Sequence, residues 1–299
     1  MKLLIVGGGQ FVGRHIVEAA VADGHDVYLA NRGETSTDLF GAAGHFKIDR
    51  GAKANYASLE GQTFDAVLDV SAYFPRAVRE LHKALGRPAG TRYLFISTVS
   101  VYDPREIGDS RDESCPLLPP IDRTEEVDGR TYGGLKVACE RDAEKAWGEQ
   151  LSVVRPGIIA GPHDHTQRYT WWTRELAEGA SVKIPDRRDQ PVQAIDARDL
   201  ATFCLAVVKQ PSTSPADATG EEMTIEQLAR ETAEGVGNGD VTIDWTAIEE
   251  KTELPPLTMP ADSERVSLFQ RQSSHATSLG LSRRPLRETA TATRESDLA

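Results

Sequence analysis

The apolar residues of this chain come in short runs separated by longer segments of helical spacing. KLLIVGG opens with apolar residues at successive positions, the pattern of a strand covered on both faces. FVGRHIVEAAVADG follows as a helix closed by Gly24. DVYLANR, HFKIDR, FDAVLDVSAY and RYLFISTVSVY read as the second to fifth strands. PRAVRELHKALG lies between the last two as a helix, with Pro75 in its first turn and Gly86 past its end. A loop rich in Pro and Asp runs from Asp103 to Arg130, TYGGLKVACERDAEKAW reads as a helix, and LSVVRPGIIAGP as the sixth strand. Strand–helix alternation of this kind predicts an α/β fold with a doubly wound parallel sheet that binds ligands at the carboxyl ends of its strands.

Past Gly161 the regularity fades. YTWWTRELAEGA reads as a helix, PVQAIDARDLATFCLAVVKQ as a strand and a helix, and QPSTSPADATGEE as a linker by composition. TIEQLARETAEGVG opens with Thr224 and Gln227 at the spacing of a capping box, and the tail RRPLRETATATRESDLA reads as a last helix. The expected division is a dinucleotide-binding domain over 1–156 and 191–211 and a smaller C-terminal substrate-binding region over 157–190 and 212–299.

Composition narrows the partners. A chain of 299 residues with 34 Lys and Arg against 46 Asp and Glu carries a net charge of −12, which disfavours the broad cationic surface that nucleic acid requires. Cys115, Cys139 and Cys204 are scattered and form no C-x-x-C, as in a reducing cytosol and without a zinc site. Neither a secretory h-region nor an apolar run of roughly 18–20 residues is present, so a cytoplasmic protein with no membrane segment is expected.

The first turn, GGGQFVG, carries the first candidate chemistry. The dinucleotide fingerprint G-x-G-x-x-G fails in either frame, because from Gly7 its third glycine falls on Val12 and from Gly8 its second falls on Gln10. Gly7 and Gly13, six apart with Gln10 midway, still suit a tight turn that brings backbone N–H groups and a helix start to a pyrophosphate. The alternative is a glycine turn that only packs a helix on a sheet. An acid at the end of the second strand would bond a ribose 2′-hydroxyl, but Asn31 and Arg32 stand there instead. Arg32, with Arg14 converging on it, predicts NADP, with NAD as the second choice; the alternative is two solvated arginines.

A second constellation follows. Tyr132 and Lys136 stand at i and i+4 near the start of a helix and share a face. A phenol titrates near pH 10, too high for proton exchange at neutral pH, and an adjacent ammonium is expected to lower that value. Thr98 ends the fifth strand, where it can bond a substrate oxygen. The alternative is a packed tyrosine and a solvated lysine.

With GGGQFVG, FISTVSVY, YGGLK, VVRPGIIAGP and AIDARDLA in this order, residues 1–210 resemble the extended or atypical branch of the short-chain dehydrogenase/reductase superfamily, the NAD-dependent epimerase/dehydratase group. The first turn is similar to the atypical pattern G-G-x-x-F-[IV]-G, which Phe11 and Val12 fill. The resemblance implies a Rossmann fold, Thr98, Tyr132 and Lys136 as the catalytic set, Asp49 at the adenine, Ser71 and Ala72 beside the cofactor, Pro156 flanking the nicotinamide, and a homodimer built on the Tyr132 helix. It implies hydride transfer to or from a carbonyl or alcohol carbon of a small-molecule substrate, by an epimerase or a reductase, with a nucleotide sugar as the default. Val99 and Ser100 stand where the family's dehydratases carry Asp-Glu, which disfavours dehydration. The polar stretch 210–223 replaces a strand the family usually has. The group also includes chloroplast stem-loop-binding proteins, so the alternative is an RNA-binding or scaffold protein on the same fold. His163 and His165 suit a metal, a substrate hydrogen bond or a plain polar loop; Trp171 and Trp172 suit core or pocket; Arg187 and Arg188 suit a phosphate or a solvated turn.

Overall fold

The computed structural model describes residues 1–34, 44–51, 54–248 and 253–299. In chain order the first half contains β1 (Lys2–Val6), α1 (Phe11–Ala22), β2 (Asp26–Asn31), β3 (Gly44–Lys47), β4 (Ala66–Asp69), α2 (Pro75–Ala84), β5 (Arg92–Ile96) and α3 (Tyr132–Trp147). The second half contains β6 (Leu151–Pro156), β7 (Ile158–Ala160), α4 (Thr170–Ala177), β8 (Ser181–Pro185), β9 (Pro191–Asp196), α5 (Ala197–Lys209), β10 (Ala216–Ala218) and β11 (Glu222–Thr224). It ends with α6 (Ile225–Gly235), β12 (Thr242–Thr246), α7 (Ser274–Ser278) and α8 (Leu286–Leu298).

Seven strands form one parallel sheet in the order β10-β6-β5-β4-β1-β2-β3. The chain runs outward from β1 to β3, then returns to build β4, β5 and β6 on the other side. The switch therefore falls between β1 and β4, where such sheets open a crevice for ligands. Both faces are covered. Leu3 and Ile5 point to the side of α1 and α5, with Ile16, Leu200 and Phe203. Leu4 and Val6 point to the side of α2 and α3, with Val78, Leu81, Cys139 and Trp147. A strand buried on alternate sides at successive residues reads as an unbroken apolar run, which is why β1 was visible in the sequence.

The smaller part has its own core. β7, β9 and β11 make a three-stranded sheet and β8 pairs with β12. Tyr169, Trp172, Ile184, Leu228 and Ala290 pack among them, so α4, α6 and α8 share one apolar centre. The capping box at the start of α6 is complete: Gln227 N donates to Thr224 Oγ1 at 3.2 Å and Thr224 N to Gln227 Oε1 at 2.8 Å.

Two expectations need correction. The sixth strand is two strands: at Gly157, whose N–H donates to Ala218 O at 3.2 Å, the chain leaves the main sheet and β7 pairs with β9 instead. The stretch 210–223 is not only a linker, because β10 forms there and pairs in parallel with β6. Its central residue, Asp217, is fully buried and held by Tyr102 and Arg271, so a stretch that looked polar is a buried edge strand.

Candidate functional site

The turn from β1 into α1 is shaped by close contacts. Gly7 has φ +88°, and a Cβ there would lie 2.5 Å from Ser71 Cβ. A Cβ on Gly13 would lie 2.5 Å from Gly7 O, so the helix meets the strand only because both residues are glycine. Gln10 is the exposed N-cap and makes no side-chain cap; no acid stands in the first turn, which leaves the first N–H groups free to meet an anion. Phe11 and Val12 follow, both buried, with Phe11 held at φ 39°.

Asn31 ends β2. Its Oδ1 accepts from Gly33 N at 2.8 Å and from the His45 ring at 2.9 Å, while its Nδ2 is buried with no partner. An orphan donor at this point, beside glycine turns that admit no Cβ, fits the sugar of a dinucleotide. Arg32, 66% exposed, pairs with Glu34 at 3.1 Å, and Arg14 bonds Glu18 at 2.8 Å. Asp49 accepts from Gly51 N at 2.9 Å.

Ser71 follows β4. Its N–H donates to Asp69 Oδ1 at 3.1 Å and its Oγ accepts from Arg50 Nη1 at 3.1 Å. Asp69, fully buried, takes two bonds from Arg50 at 2.6 and 2.8 Å and one from Tyr93 at 2.8 Å. Burial, the largest single influence, pushes the Asp69 carboxyl up, but Arg50, the bonded Tyr93 hydroxyl and the Ser71 N–H together outweigh it and hold the group below the usual carboxylate range. Neither Arg50 nor Asp69 stood out in the sequence, since their pairing spans the sheet edge.

Thr98 follows β5 and caps a short 3-10 turn over Val99–Val101, its Oγ1 accepting from Ser100 N at 3.1 Å. Tyr132 opens α3, its ring 6.3 Å from that of Tyr73. Lys136, one turn on and 3% exposed, donates to Ile96 O at 2.7 Å and Ala72 O at 3.0 Å, with its ammonium 4.2 Å from the Phe95 ring centre. Lys136 is therefore not solvated. Pro156 ends β6, and Gly7, Asn31, Ser71, Thr98 and Pro156 all lie at or just past the carboxyl ends of strands of the main sheet.

The expected acidification of Tyr132 needs correction as well. Burial, with the Tyr73 phenol next, pushes Tyr132 up to about 12, and the Thr98 hydroxyl acts in the opposite direction. The ammonium is drawn instead to the two carbonyls of the sheet edge, and burial pushes Lys136 down to about 8.

Behind these residues runs a buried chain of polar groups. Ser97 donates to Glu140, which also receives Arg155 at 3.0 and 2.7 Å. Arg155 donates to Tyr102 OH at 2.9 Å, Tyr102 to Asp217 at 2.8 Å, and Arg271 completes the line on Asp217 at 3.0 Å. Sequence spacing gave no sign of it. Farther out, Trp172 is core and donates to Pro256 O at 2.8 Å, Arg187 donates to Met259 O at 3.0 Å, and Arg188 pairs with Asp186 at 2.9 Å. Among the described residues no three His, Cys, Asp or Glu stand together as a metal site, and no helix is long and apolar enough to cross a membrane.

Sheet order, switch point and glycine turn define a doubly wound, Rossmann-type α/β protein. Residues 3–223 match the NAD dependent epimerase/dehydratase family, and the chain belongs to it. Among solved structures it is similar to UDP-N-acetylglucosamine 4-epimerase from Bacillus cereus, at 17% identity and TM-score 0.71 over 100% of this chain and 98% of that one. It is also similar to UDP-glucose 4-epimerase from Thermotoga maritima, at 17% identity and TM-score 0.70 over 100% and 99%. A curated relative, the chloroplast stem-loop binding protein of 41 kDa b from Arabidopsis thaliana, is 26% identical over 253 residues, 79% of this chain but only 63% of that protein's length.

Proposed function

We propose that this chain binds a nicotinamide dinucleotide along the carboxyl edge of its sheet and works as an epimerase or reductase on a carbonyl or alcohol carbon. The observation that carries this is Lys136: a cation buried at a cost, held on the carbonyl ends beside Thr98 and Tyr132. Gly7, Gln10, Phe11, Val12 and Gly13 would receive the pyrophosphate, Asn31 and Arg32 the adenosine ribose, Asp49 the adenine, and Ser71 and Pro156 the nicotinamide side. When bound, the dinucleotide supplies the hydride acceptor and donor. Thr98 orients the substrate oxygen, Tyr132 exchanges its proton, and Lys136 grips ribose hydroxyls and favours the phenolate. A phenol near 12 in the free protein needs ligands that bring the ammonium to bear on it. The substrate region we assign is 157–190 with 212–299 apart from β10, and a nucleotide sugar, the class after which the similar epimerases are named, is our default.

Tyr132→Phe tests this: turnover should vanish while dinucleotide affinity stays. Persistence of turnover places the proton donor elsewhere. A cofactor that co-purifies and never exchanges marks an epimerase, and an exchanging one a reductase. For the cofactor we favour NADP through Arg32, although Glu34 opposes a 2′-phosphate; Arg32→Ala should weaken NADP more than NAD, and equal weakening rejects the preference. We further propose a homodimer through α3, which sedimentation reads directly. The stem-loop-binding relative supports a second reading, an RNA-binding scaffold. RNA retention with no hydride signal would favour it, against the net charge of −12.

A further inference from the structure

The Lys136 ammonium lies between two aromatic rings. The ring centre of Phe95 is 4.2 Å away and that of Tyr73 is 5.8 Å away. Phe95, on β5, is fully buried, whereas Tyr73, in the segment that joins β4 to α2, is 45% exposed. One ring thus lies in the core and the other on the solvent side of the lysine, which is itself buried. The Tyr73 ring is also 6.3 Å from that of Tyr132, tilted by 43°. The backbone holds it there. Ala72 is buried with its carbonyl on the ammonium at 3.0 Å, and α2 begins at Pro75.

A ring beside an ammonium attracts it and also keeps water from it. At 5.8 Å the attraction is close to its limit of roughly 6 Å, so on the exposed side the exclusion of water is the larger effect. The charged and titratable groups around the lysine are Asp69 with its partner Arg50, Glu140 with its partner Arg155, Cys139 and the phenols of Tyr73 and Tyr132. Arg50 keeps Asp69 ionised against burial, and burial pushes Cys139 and Tyr132 both up to about 12. These three keep their charge state between about pH 7 and 9.5, whereas Lys136, pushed down to about 8 by burial, does not.

We propose that Tyr73 is a positioning residue that acts through Lys136: its ring roofs the ammonium against water and keeps it on the carbonyl edge, ready for the ribose hydroxyls of the dinucleotide. Its bearing on the reaction rests on the hydride-transfer reading of the site. A charge in a dry site acts on hydroxyls and on a phenolate more strongly than one in water, so the roof serves Tyr132 as well.

Two titrations of the full chain separate the outcomes. Without ligand, urea midpoints from about pH 7 to 9.5 follow the rise in stability that begins where the folded lysine releases its proton, near 8. Tyr73→Ala should admit water and move that onset upward by about one pH unit, and Tyr73→Phe, which keeps the ring, should leave it in place. In the Lys136→Met background Tyr73→Ala should not alter the pH profile. A wild type with no onset near 8, or an onset that Tyr73→Ala leaves unmoved or moves down, overturns the proposal. So does an equal shift in Tyr73→Phe, or one that survives Lys136→Met. With NAD⁺ or NADP⁺, wild-type affinity should fall about tenfold from about pH 7 to 9 as the lysine loses its charge, and Tyr73→Ala should delay that fall by the same step. A fall that Tyr73→Ala does not delay overturns the proposal too. Absence of dinucleotide binding at every pH rejects the hydride-transfer reading and with it the role in the reaction, while the urea midpoints decide separately whether Tyr73 roofs Lys136.

Discussion

Replacing Lys136 by methionine should make the protein more stable at neutral pH and less stable in alkali. Burial holds the Lys136 ammonium at about 8, against 10.5 for an ordinary lysine. At about 1.4 kcal/mol per pH unit, that difference withdraws about 3 kcal/mol from stability wherever the lysine must stay charged. The folded chain releases this proton near pH 8 and the unfolded chain near 10.5, so between these values the unfolded state holds more protons and the wild type gains stability as pH rises. Below the folded value the penalty is fully present. Methionine removes it but leaves Ala72 O and Ile96 O without their donor, at about 1 kcal/mol each. The balance is a variant about 1 kcal/mol more stable at pH 7 and about 2 kcal/mol less stable near pH 10.5. Urea unfolding from pH 6 to 10.5, read by the midpoint at constant slope, measures the crossing. A variant less stable at pH 7, with a deficit that does not change with pH, would refute the reasoning: Lys136 would then carry no burial penalty, and the argument that function retains it would fall.

Arg271→Leu should cost about 3–5 kcal/mol, because it leaves Asp217 charged and unpaired in the core; adding Asp217→Asn should restore most of it. Burial already lifts the Asp217 carboxyl to about 6, above its unfolded value, so its cost is greatest above that pH and the single variant's deficit should shrink on acidification from pH 7 to 5 in urea midpoints. Gly7→Ala must seat a Cβ 2.5 Å from Ser71 Cβ at φ +88°, and should lose about 2–4 kcal/mol in thermal unfolding together with dinucleotide affinity. Thr224→Ala removes the cap of α6 and should cost about 1 kcal/mol by the same assay, which Thr224→Ser should largely recover.

What the sequence made legible were features fixed by neighbours along the chain. Gly7 and Gly13 announce a tight approach of backbone, Tyr132 and Lys136 a shared helical face, Thr224 and Gln227 a cap, and the apolar runs of β1 and β4 a covered sheet. Features fixed by partners far away were hidden. The charge inside β10 hid a strand, because the partners that neutralise Asp217 lie 54 and 115 residues off at Arg271 and Tyr102. Arg50 looked like any surface arginine after Asp49 until β4 placed Asp69 against it. The expected action of Lys136 on Tyr132 failed for a related reason. Helical spacing sets which face two side chains share, but the carbonyls of Ala72 and Ile96, contributed by other elements, decide where the ammonium goes.

These buried pairs bear on the site as a set. Lys136 feels the charges of Asp69, already bound by Arg50, and Glu140, already bound by Arg155. Each carboxylate raises the lysine's affinity for its proton, and Arg50 lowers it, so the attraction that would have fixed the ammonium firmly is partly spent within the protein. The lysine therefore remains charged at neutral pH yet only about one pH unit below the point where it would lose its proton. It is held by two neutral carbonyls and not by an acid. In the reaction we propose, a cation held that way can turn toward ribose hydroxyls and a phenolate without breaking an ion pair, whereas a lysine clamped by Asp69 directly would have to break that pair each time. The two arginines thus do for Lys136 what no residue beside it in sequence could do: they keep the nearest acids occupied.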